Sequence, residues 1–376
     1  MTKKRLLIVA RWPVGGILTY FSYIYSQNCF DGYELTFVMP RFEGGEKFLR
    51  ERCSRASLSF VYCEHSSKDL FFAYRDTVRR GFDLVHCHGF TAGALVGLGR
   101  PLRHMTPHLM TVHDVFLERQ FSGWKGRFKK FLLSLTFRRM DAIHVVSEDC
   151  KANFLEFFPK IEDFRIYTIL HGVDTEKFYN EEPRDFREEL GFSDQLLLGF
   201  FGRFMAQKGF KYIVEAIEFL ITKDERYRRR LKVLTFGWGG FIREEFELIE
   251  QKGLSDIFVQ MPHTDNMPAA IKGVDVVLMP SLWEACGLLG MEALAAGTPI
   301  IGTNCIGLRE VLEDSPAFIV PPKDGHVLSR AIESCLVERN KDSFDSYAEI
   351  AVKRFSLDIP AESLEHLYSK MIDGSL

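Results

Sequence analysis

Twelve short apolar runs, rich in β-branched side chains and almost free of charge, alternate along this chain with longer stretches of helical periodicity. The first six are RLLIVA (5–10), ELTFVM (34–39), LSFVYC (58–63), DLVHCH (83–88), HLMTVH (108–113) and AIHVVS (142–147). The second six are LLLGFFG (196–202), LKVLTFG (231–237), IFVQM (257–261), VDVVLMPS (274–281), TPIIGT (298–303) and AFIVPP (317–322). Runs this uniformly apolar suit strands buried on both faces, which occur where helices cover both sides of a parallel sheet. A chain of 376 residues is also too long for one ordinary core. The expectation is α/β: two doubly wound, Rossmann-like domains, 1–180 and 181–355. The polar segment NEEPRDFREELG (180–191), with Pro183, separates the two sets and places a linker at 178–185. The final helical stretch, within 356–376, has no strand left to cover in the second domain and is expected to pack back on the first.

A hydrophobic share of 46% with 26% charged residues is that of a soluble globular protein. No stretch of 18 or more uncharged apolar residues occurs, so a spanning helix is not expected. The start MTKKRLLIVARWP has too short an apolar run for a signal peptide and reads as a first buried strand. Eight scattered cysteines without a C-x-x-C pair suit reduced thiols and a cytoplasmic location. The net charge of −3 hides an asymmetry: residues 1–180 hold 26 Lys and Arg against 19 Asp and Glu, so the remainder is acidic. An anionic surface or lipid facing the first half is one explanation; a charge split without function is the other.

The segment PSLWEACGLLGMEALAAGTPII (280–301) leaves a strand and enters a helix near Gly287–Leu289 that stops at Gly297. Helix starts carry unpaired N–H groups and partial positive charge, which suit an anion. Glu284 precedes this helix and Glu292 lies more than a turn inside it. They are therefore not a side-by-side acid/base pair, but they can flank a ligand lying across the helix start. A nucleotide-sugar has that shape, with its diphosphate over the N–H groups of Gly287, Leu288 and Leu289 and its hydroxyl-rich rings at the two carboxylates. GFFGRFMAQKGF (199–210) aims Arg203 and Lys208 at the same carboxyl edge, where two cations would neutralise a diphosphate.

The chain resembles the retaining glycosyltransferases of family 4, which have the GT-B fold. The matching pieces, in order, are VGGILTY (14–20), LVHCHG (84–89), TVHD (111–114), VVSED (145–149), ILHGVDTEKF (169–178), FFGRFMAQKGF (200–210), the E-x7-E segment from Glu284 to Glu292, and RFS (354–356). The resemblance implies that Arg203 and Lys208 bind diphosphate, Glu284 the donor sugar's hydroxyls, and Glu292 the ribose. It implies backbone donors at Gly287 and Leu288, a histidine beside the transferred sugar at His113, and a glycine loop at Gly15 and Gly16 that approaches diphosphate or acceptor. It also implies transfer from a UDP- or GDP-sugar to a glycan or lipid-linked acceptor in cell-surface polysaccharide or glycolipid synthesis. Anomeric configuration would be retained through front-face attack, with Glu284 as covalent nucleophile the less favoured role. The chain departs from the family at Cys286, where an aromatic is usual, after the Gly15–Gly16 pair, where an acidic residue is common, and at His171, where Asn is usual.

No D-x-D motif occurs, so neither metal nor cofactor is expected, the nucleotide-sugar being a substrate. HCH (86–88) places two histidines on one strand face but lacks companion ligands for zinc. Nucleic acid is not an expected partner. KGRFKKFLLSLTFRR, Lys125 to Arg139, carries six basic residues, no acids, and Phe128, Phe131, Leu132 and Leu135 at helical spacing. Two readings stay open: an interfacial helix giving peripheral contact with the inner face of a membrane, or a core-packing helix with a solvated basic face. Two other functions also stay open, a nucleotide-sugar epimerase of the same fold and a non-catalytic glycan- or lipid-binding protein.

Overall fold

A computed structural model describes residues 3–54, 56–101 and 106–376. The chain divides into two compact units, one running up to His171 and resuming at Leu357–Leu376, the other spanning Gly172–Ser356.

The first unit is built on a parallel sheet of β1 (Lys4–Ala10), β2 (Tyr33–Pro40), β3 (Ser57–Cys63), β4 (Leu84–His88), β5 (His108–Val112), β6 (Ala142–Val145) and β7 (Ile166–Thr168). Its spatial order is β3-β2-β1-β4-β5-β6-β7. β1 therefore pairs in parallel with both β2 and β4. Leu6 to Ala10 are buried without a break, as a strand covered on both faces requires. The six expected strands are present. β7 was not expected, because a three-residue edge strand is too short to show a period.

The second unit holds β8 (Leu196–Phe201), β9 (Leu231–Phe236), β10 (Phe258–Gln260), β11 (Val276–Met279), β12 (Ile300–Thr303) and β13 (Phe318–Val320). They form a parallel sheet in the order β10-β9-β8-β11-β12-β13. Helix Phe210–Lys223 covers one face with a stripe of Ile213, Val214, Ile217 and Leu220, in one core with Leu198, Phe200 and Val233 of the strands. The two sheets share one logic. The order reverses between β1 and β4 in one, and between β8 and β11 in the other, the place at whose carboxyl edge ligands bind in sheets of this kind.

The chain passes from the first unit to the second at His171–Gly172, ahead of the polar segment in which the sequence placed a linker. Helix Thr175–Asn180 already belongs to the second unit: Phe178 is buried and the Thr175 hydroxyl donates to the Val352 carbonyl at 3.1 Å. The segment 180–191 is also folded, with helix Phe186–Leu190 held by an Arg187–Asp275 contact of 2.6 Å.

The last helix, Asp358–Asp373, lays Ala361, Leu364, Leu367, Tyr368 and Met371 into the core of the first unit beside Leu6, Ile8 and Phe30. The Tyr33 hydroxyl donates to Glu365 at 2.7 Å, and Lys4 lies 3.6 Å from the same carboxylate. Truncating the fully buried Leu364 to Ala is expected to destabilise the first unit by about 2–5 kcal/mol, the usual cost of a core cavity. Denaturant unfolding followed by hydrogen exchange checks this: protection should fall in the first unit's strands and stay unchanged in those of the second.

Candidate active site

In the second unit, three loops at the sheet's carboxyl edge lock together around Glu284. The loop after β8 ends in a 3₁₀ turn, Ala206–Lys208, and then Gly209 at φ +66°. A Cβ on Gly209 would stand 2.1 Å from the Pro280 carbonyl oxygen, so only glycine lets this loop close on the end of β11. The closure is clasped in both directions: Leu282 N–H donates to the Gln207 carbonyl at 2.8 Å, and the Gln207 side chain donates to the Trp283 carbonyl at 2.9 Å. From the other side, Glu284 N–H donates to the Ile306 carbonyl at 3.0 Å. The next residue, Gly307, sits at φ +75°, where a Cβ would lie 2.2 Å from the Glu284 carbonyl oxygen.

The Glu284 side chain is buried, and its charge is compensated. Lys208 Nζ and Ser281 Oγ each donate to Oε1 at 2.7 Å, while the Gln207 amide lies 3.4 Å from Oε2. Oε2 thus keeps most of its acceptor capacity. Glu292 lies on helix Leu288–Ala295, partly buried, and its carboxylate meets no hydrogen-bond donor among the described residues. Burial pushes its pKa up to about 7, and the positive charge of Lys208 works against that rise. Arg203 is exposed and unpartnered among the described residues. The backbone on either side of it is anchored, with Gly202 N–H on the Phe236 carbonyl at 2.9 Å and Phe204 N–H on that of Trp238 at 3.2 Å.

The helix after Glu284 starts without a side-chain cap. One of its three expected N–H donors is already engaged, because Leu288 N–H turns back to the Cys286 carbonyl at 2.9 Å. Among the described residues, Gly287 and Leu289 keep theirs. A Cβ at Gly287 would meet a Leu308 methyl at 2.6 Å, so a larger residue would have to displace that side chain. At the far end Gly297, at φ +67°, closes the helix: its N–H donates to Leu294 and that of Thr298 to Ala293, the double return of a Schellman motif.

The first unit carries a different cluster. His86, His88, His113, His144 and His171 surround the Tyr20 ring or one another at the carboxyl edge of β4, β5 and β6. One chain of hydrogen bonds is ordered by its end. His144 Nε2 lies 3.0 Å from the Ile169 carbonyl, which can only accept, so that nitrogen carries the proton. Neutral His144 then accepts from the Thr111 hydroxyl at 2.9 Å, and that oxygen accepts from His86 Nε2 at 2.6 Å. His86 Nδ1 in turn accepts from the Tyr368 hydroxyl at 2.5 Å, so the terminal helix closes the network. A second bond joins His88 Nδ1 to His113 Nε2 at 2.9 Å, while His88 Nε2 is buried without a partner. An orphaned N–H is costlier than an unused lone pair, so His88 donates and His113 carries its own proton on Nδ1. Burial, then the neighbouring imidazoles, holds His86, His88 and His113 far below the ordinary value and His171 at about 3; burial alone lowers His144 to about 4, against the Ile169 carbonyl, which favours its charged form. Among the described residues no group of three or more His, Cys, Asp or Glu could hold a metal ion. Gly15, at φ +58°, and Gly16 open the helix Gly16–Ile24; both are exposed and neither has an atom within 4 Å of where a Cβ would stand.

The structure thus brings together Lys208, Glu284 and Glu292 in the second unit, with Arg203 on the same loop as Lys208, and carries His113, Gly15 and Gly16 on the first. Ser281 and Gln207 escaped the sequence reading, and nothing in it marks a serine three residues before a glutamate as its hydrogen-bond donor. The ordered network behind His113 escaped it too, although HCH and TVHD hinted at several rings converging.

Two family descriptions match the chain: "Glycosyltransferase Family 4" over residues 14–177 and "Glycosyl transferases group 1" over residues 195–338. An uncharacterized glycosyltransferase of Methanocaldococcus jannaschii is 27% identical over 68% of this chain and 66%, just under two thirds, of its own length. A lipopolysaccharide core biosynthesis mannosyltransferase of Rhizobium meliloti is 24% identical over 68% of this chain and 70% of its own. The Anabaena protein HepE, crystallised with UDP-glucose, superposes with a TM-score of 0.83 at 17% identity, over 97% of this chain and 99% of that one.

The two units should respond oppositely to pH. Histidines with lowered pKa values stabilise the fold above the unfolded value of 6.5 and lose that contribution as pH falls through about 4. Glu292, with a raised pKa, favours the fold below 4.5 and withdraws that contribution as pH rises through about 7. Acidification from 6.5 towards 4 is expected to lower the first unit's unfolding midpoint, with the His144 imidazole titrating near 4 by NMR. Glu292→Gln should raise the second unit's midpoint more at pH 8 than at pH 5, by about 3 kcal/mol at most.

Proposed function

The chain belongs to the glycosyltransferases of group 1 and family 4 with the GT-B fold, and from that premise we propose that it moves a sugar from a nucleoside-diphosphate sugar to a glycan or lipid-linked acceptor. The observation that carries this reading is the Lys208–Glu284 bond of 2.7 Å beside a helix that starts without a side-chain cap and carries Glu292. Each part suits one piece of such a donor. The N–H groups of Gly287 and Leu289, the unpartnered Arg203 and the two remaining protons of Lys208 suit the diphosphate. The free capacity of Glu284 Oε2 suits a sugar hydroxyl. Glu292, also without a donor, suits the ribose hydroxyls. We assign His113, with its proton on Nδ1, and the open Gly15–Gly16 turn to the acceptor side, on the first unit.

In the reaction the bond from the anomeric carbon to the diphosphate breaks and negative charge collects on the leaving oxygen. Arg203, Lys208 and the helix start are preorganised to meet that charge. A Glu284 carboxylate already bonded to Lys208 and Ser281 is a poor nucleophile. That supports transfer with retention by front-face attack, the leaving phosphate taking the acceptor's proton. The reading needs no metal, because side-chain cations and N–H groups supply the positive charge. A cytoplasmic enzyme of cell-surface polysaccharide or glycolipid synthesis is the setting we propose, in keeping with the lipopolysaccharide assignment of the Rhizobium relative.

Calorimetric titration with UDP, GDP and ADP tests the root of this proposal. One nucleoside diphosphate should bind, UDP being the first to try given the Anabaena complex. Glu292→Ala should weaken that nucleotide about ten- to a hundredfold, the loss of roughly 1.5–3 kcal/mol from a charged hydrogen bond. Binding of none of the three would sink the enzyme reading.

A further inference from the structure

Helix Gly123–Phe137 is apolar on two opposite sides. Gly126, Leu133 and Phe137 face inward and are buried. Gly126 is packed so tightly that a Cβ would stand 2.3 Å from the Phe121 backbone, which presses the helix start against the preceding turn. At about 100° per residue, the opposite side carries Trp124, Phe128, Phe131, Leu132 and Leu135. These are 71%, 57%, 57%, 44% and 44% exposed. The stripe that periodicity alone offered as a packing face is therefore the solvent face, and the core is served by other residues of the same helix.

Five large apolar side chains aligned on one exposed helix face form a patch of the kind that marks an interaction surface. The charges around it identify the partner. Lys125 and Lys129 flank the stripe on one side and Arg127 and Arg138 on the other, all four exposed. No acidic residue occurs between Glu118 and Asp141. A protein partner would have to cover a wide aromatic strip inside a purely cationic rim. An anionic bilayer meets both demands at once, taking the rings at the level of its acyl boundary and the cations among its headgroup phosphates. None of the described helices is long and apolar enough to cross a membrane, so contact through this helix would be peripheral.

We propose that the exposed face of Gly123–Phe137 docks the protein on an anionic lipid surface, with Trp124, Phe128, Phe131, Leu132 and Leu135 inserted and Lys125, Arg127, Lys129 and Arg138 on the headgroups. This goes beyond the sugar-transfer reading and does not depend on it. The helix lies in the first unit and the nucleotide residues in the second.

The test is co-sedimentation of the full chain with vesicles of phosphatidylcholine alone and of phosphatidylcholine mixed with phosphatidylglycerol. Binding is expected on the mixed vesicles, weakening as salt rises and at least tenfold lower on phosphatidylcholine. Phe128→Ser with Phe131→Ser and Leu135→Ser should abolish it; all three positions are exposed, so the fold is retained. Lys125→Gln with Arg127→Gln and Lys129→Gln should weaken it roughly fivefold per charge, on the order of a hundredfold together, and flatten the salt dependence. Titrating UDP, GDP and ADP into the same preparations separates the two proposals: vesicle binding without nucleotide binding leaves this surface standing and removes the enzyme reading, and the reverse removes only the surface. Failure of the unaltered chain to bind mixed vesicles overturns the proposal, as does binding that ignores the serine substitutions. A dimer seen by sedimentation equilibrium that those substitutions dissolve, with no vesicle binding, assigns the face to a second copy instead.

Discussion

Parallel strands buried on both faces set the terms for everything else in this protein. Each strand must be left by a crossover helix, and the crossovers change direction once per sheet. That reversal sets the loops of β8 and β11 side by side at the sheet edge in one unit, and those of β1 and β4 in the other. Arg203, Lys208 and Glu284 lie on such loops in the second unit and Gly15 and Gly16 in the first, where sheets of this kind bind ligands.

Within the second unit, the glycines convert this opening into a rigid arrangement. Gly209 and Gly307 each take a positive φ and leave room where a backbone carbonyl passes too close for any side chain. The consequence is electrostatic. Glu284 is delivered buried, where an unpaired carboxylate would be costly, and the same closure of the β8 loop that buries it also brings Lys208 to 2.7 Å. Glu292 has no such bond among the described residues, and burial raises its proton affinity. Two glutamates beside a helix start are tolerable because Lys208 pairs with one of them, and because the other need not be charged at all times.

The first unit solves the opposite problem. Five imidazoles near one sheet edge would repel strongly if protonated, and burial keeps them neutral. Neutral rings must each choose one nitrogen for the proton, and the Ile169 carbonyl settles that choice for His144, Thr111 and His86 in succession. The Tyr368 hydroxyl completes the line, so a helix from the far end of the chain takes part in ordering the edge that carries His113.

Much of this was legible in the residues alone. Strand runs reveal themselves by unbroken apolarity, a property each run carries locally, and all six runs of each half became strands. The glycines and the E-x7-E spacing were equally visible, and placed Glu284 before the helix and Glu292 inside it. What could not be read depends on which atoms meet across long separations. The Ser281 and Gln207 donors, the engagement of Leu288 N–H by Cys286 and the ordered histidine line are facts of geometry with no sequence period. The same holds for helix Gly123–Phe137, where composition announced an amphipathic basic helix but could not say which side faced the core. Periodicity reports that apolar residues share a face. Only packing against a particular neighbour, here one that admits Gly126 and excludes Trp124, decides whether that face is covered.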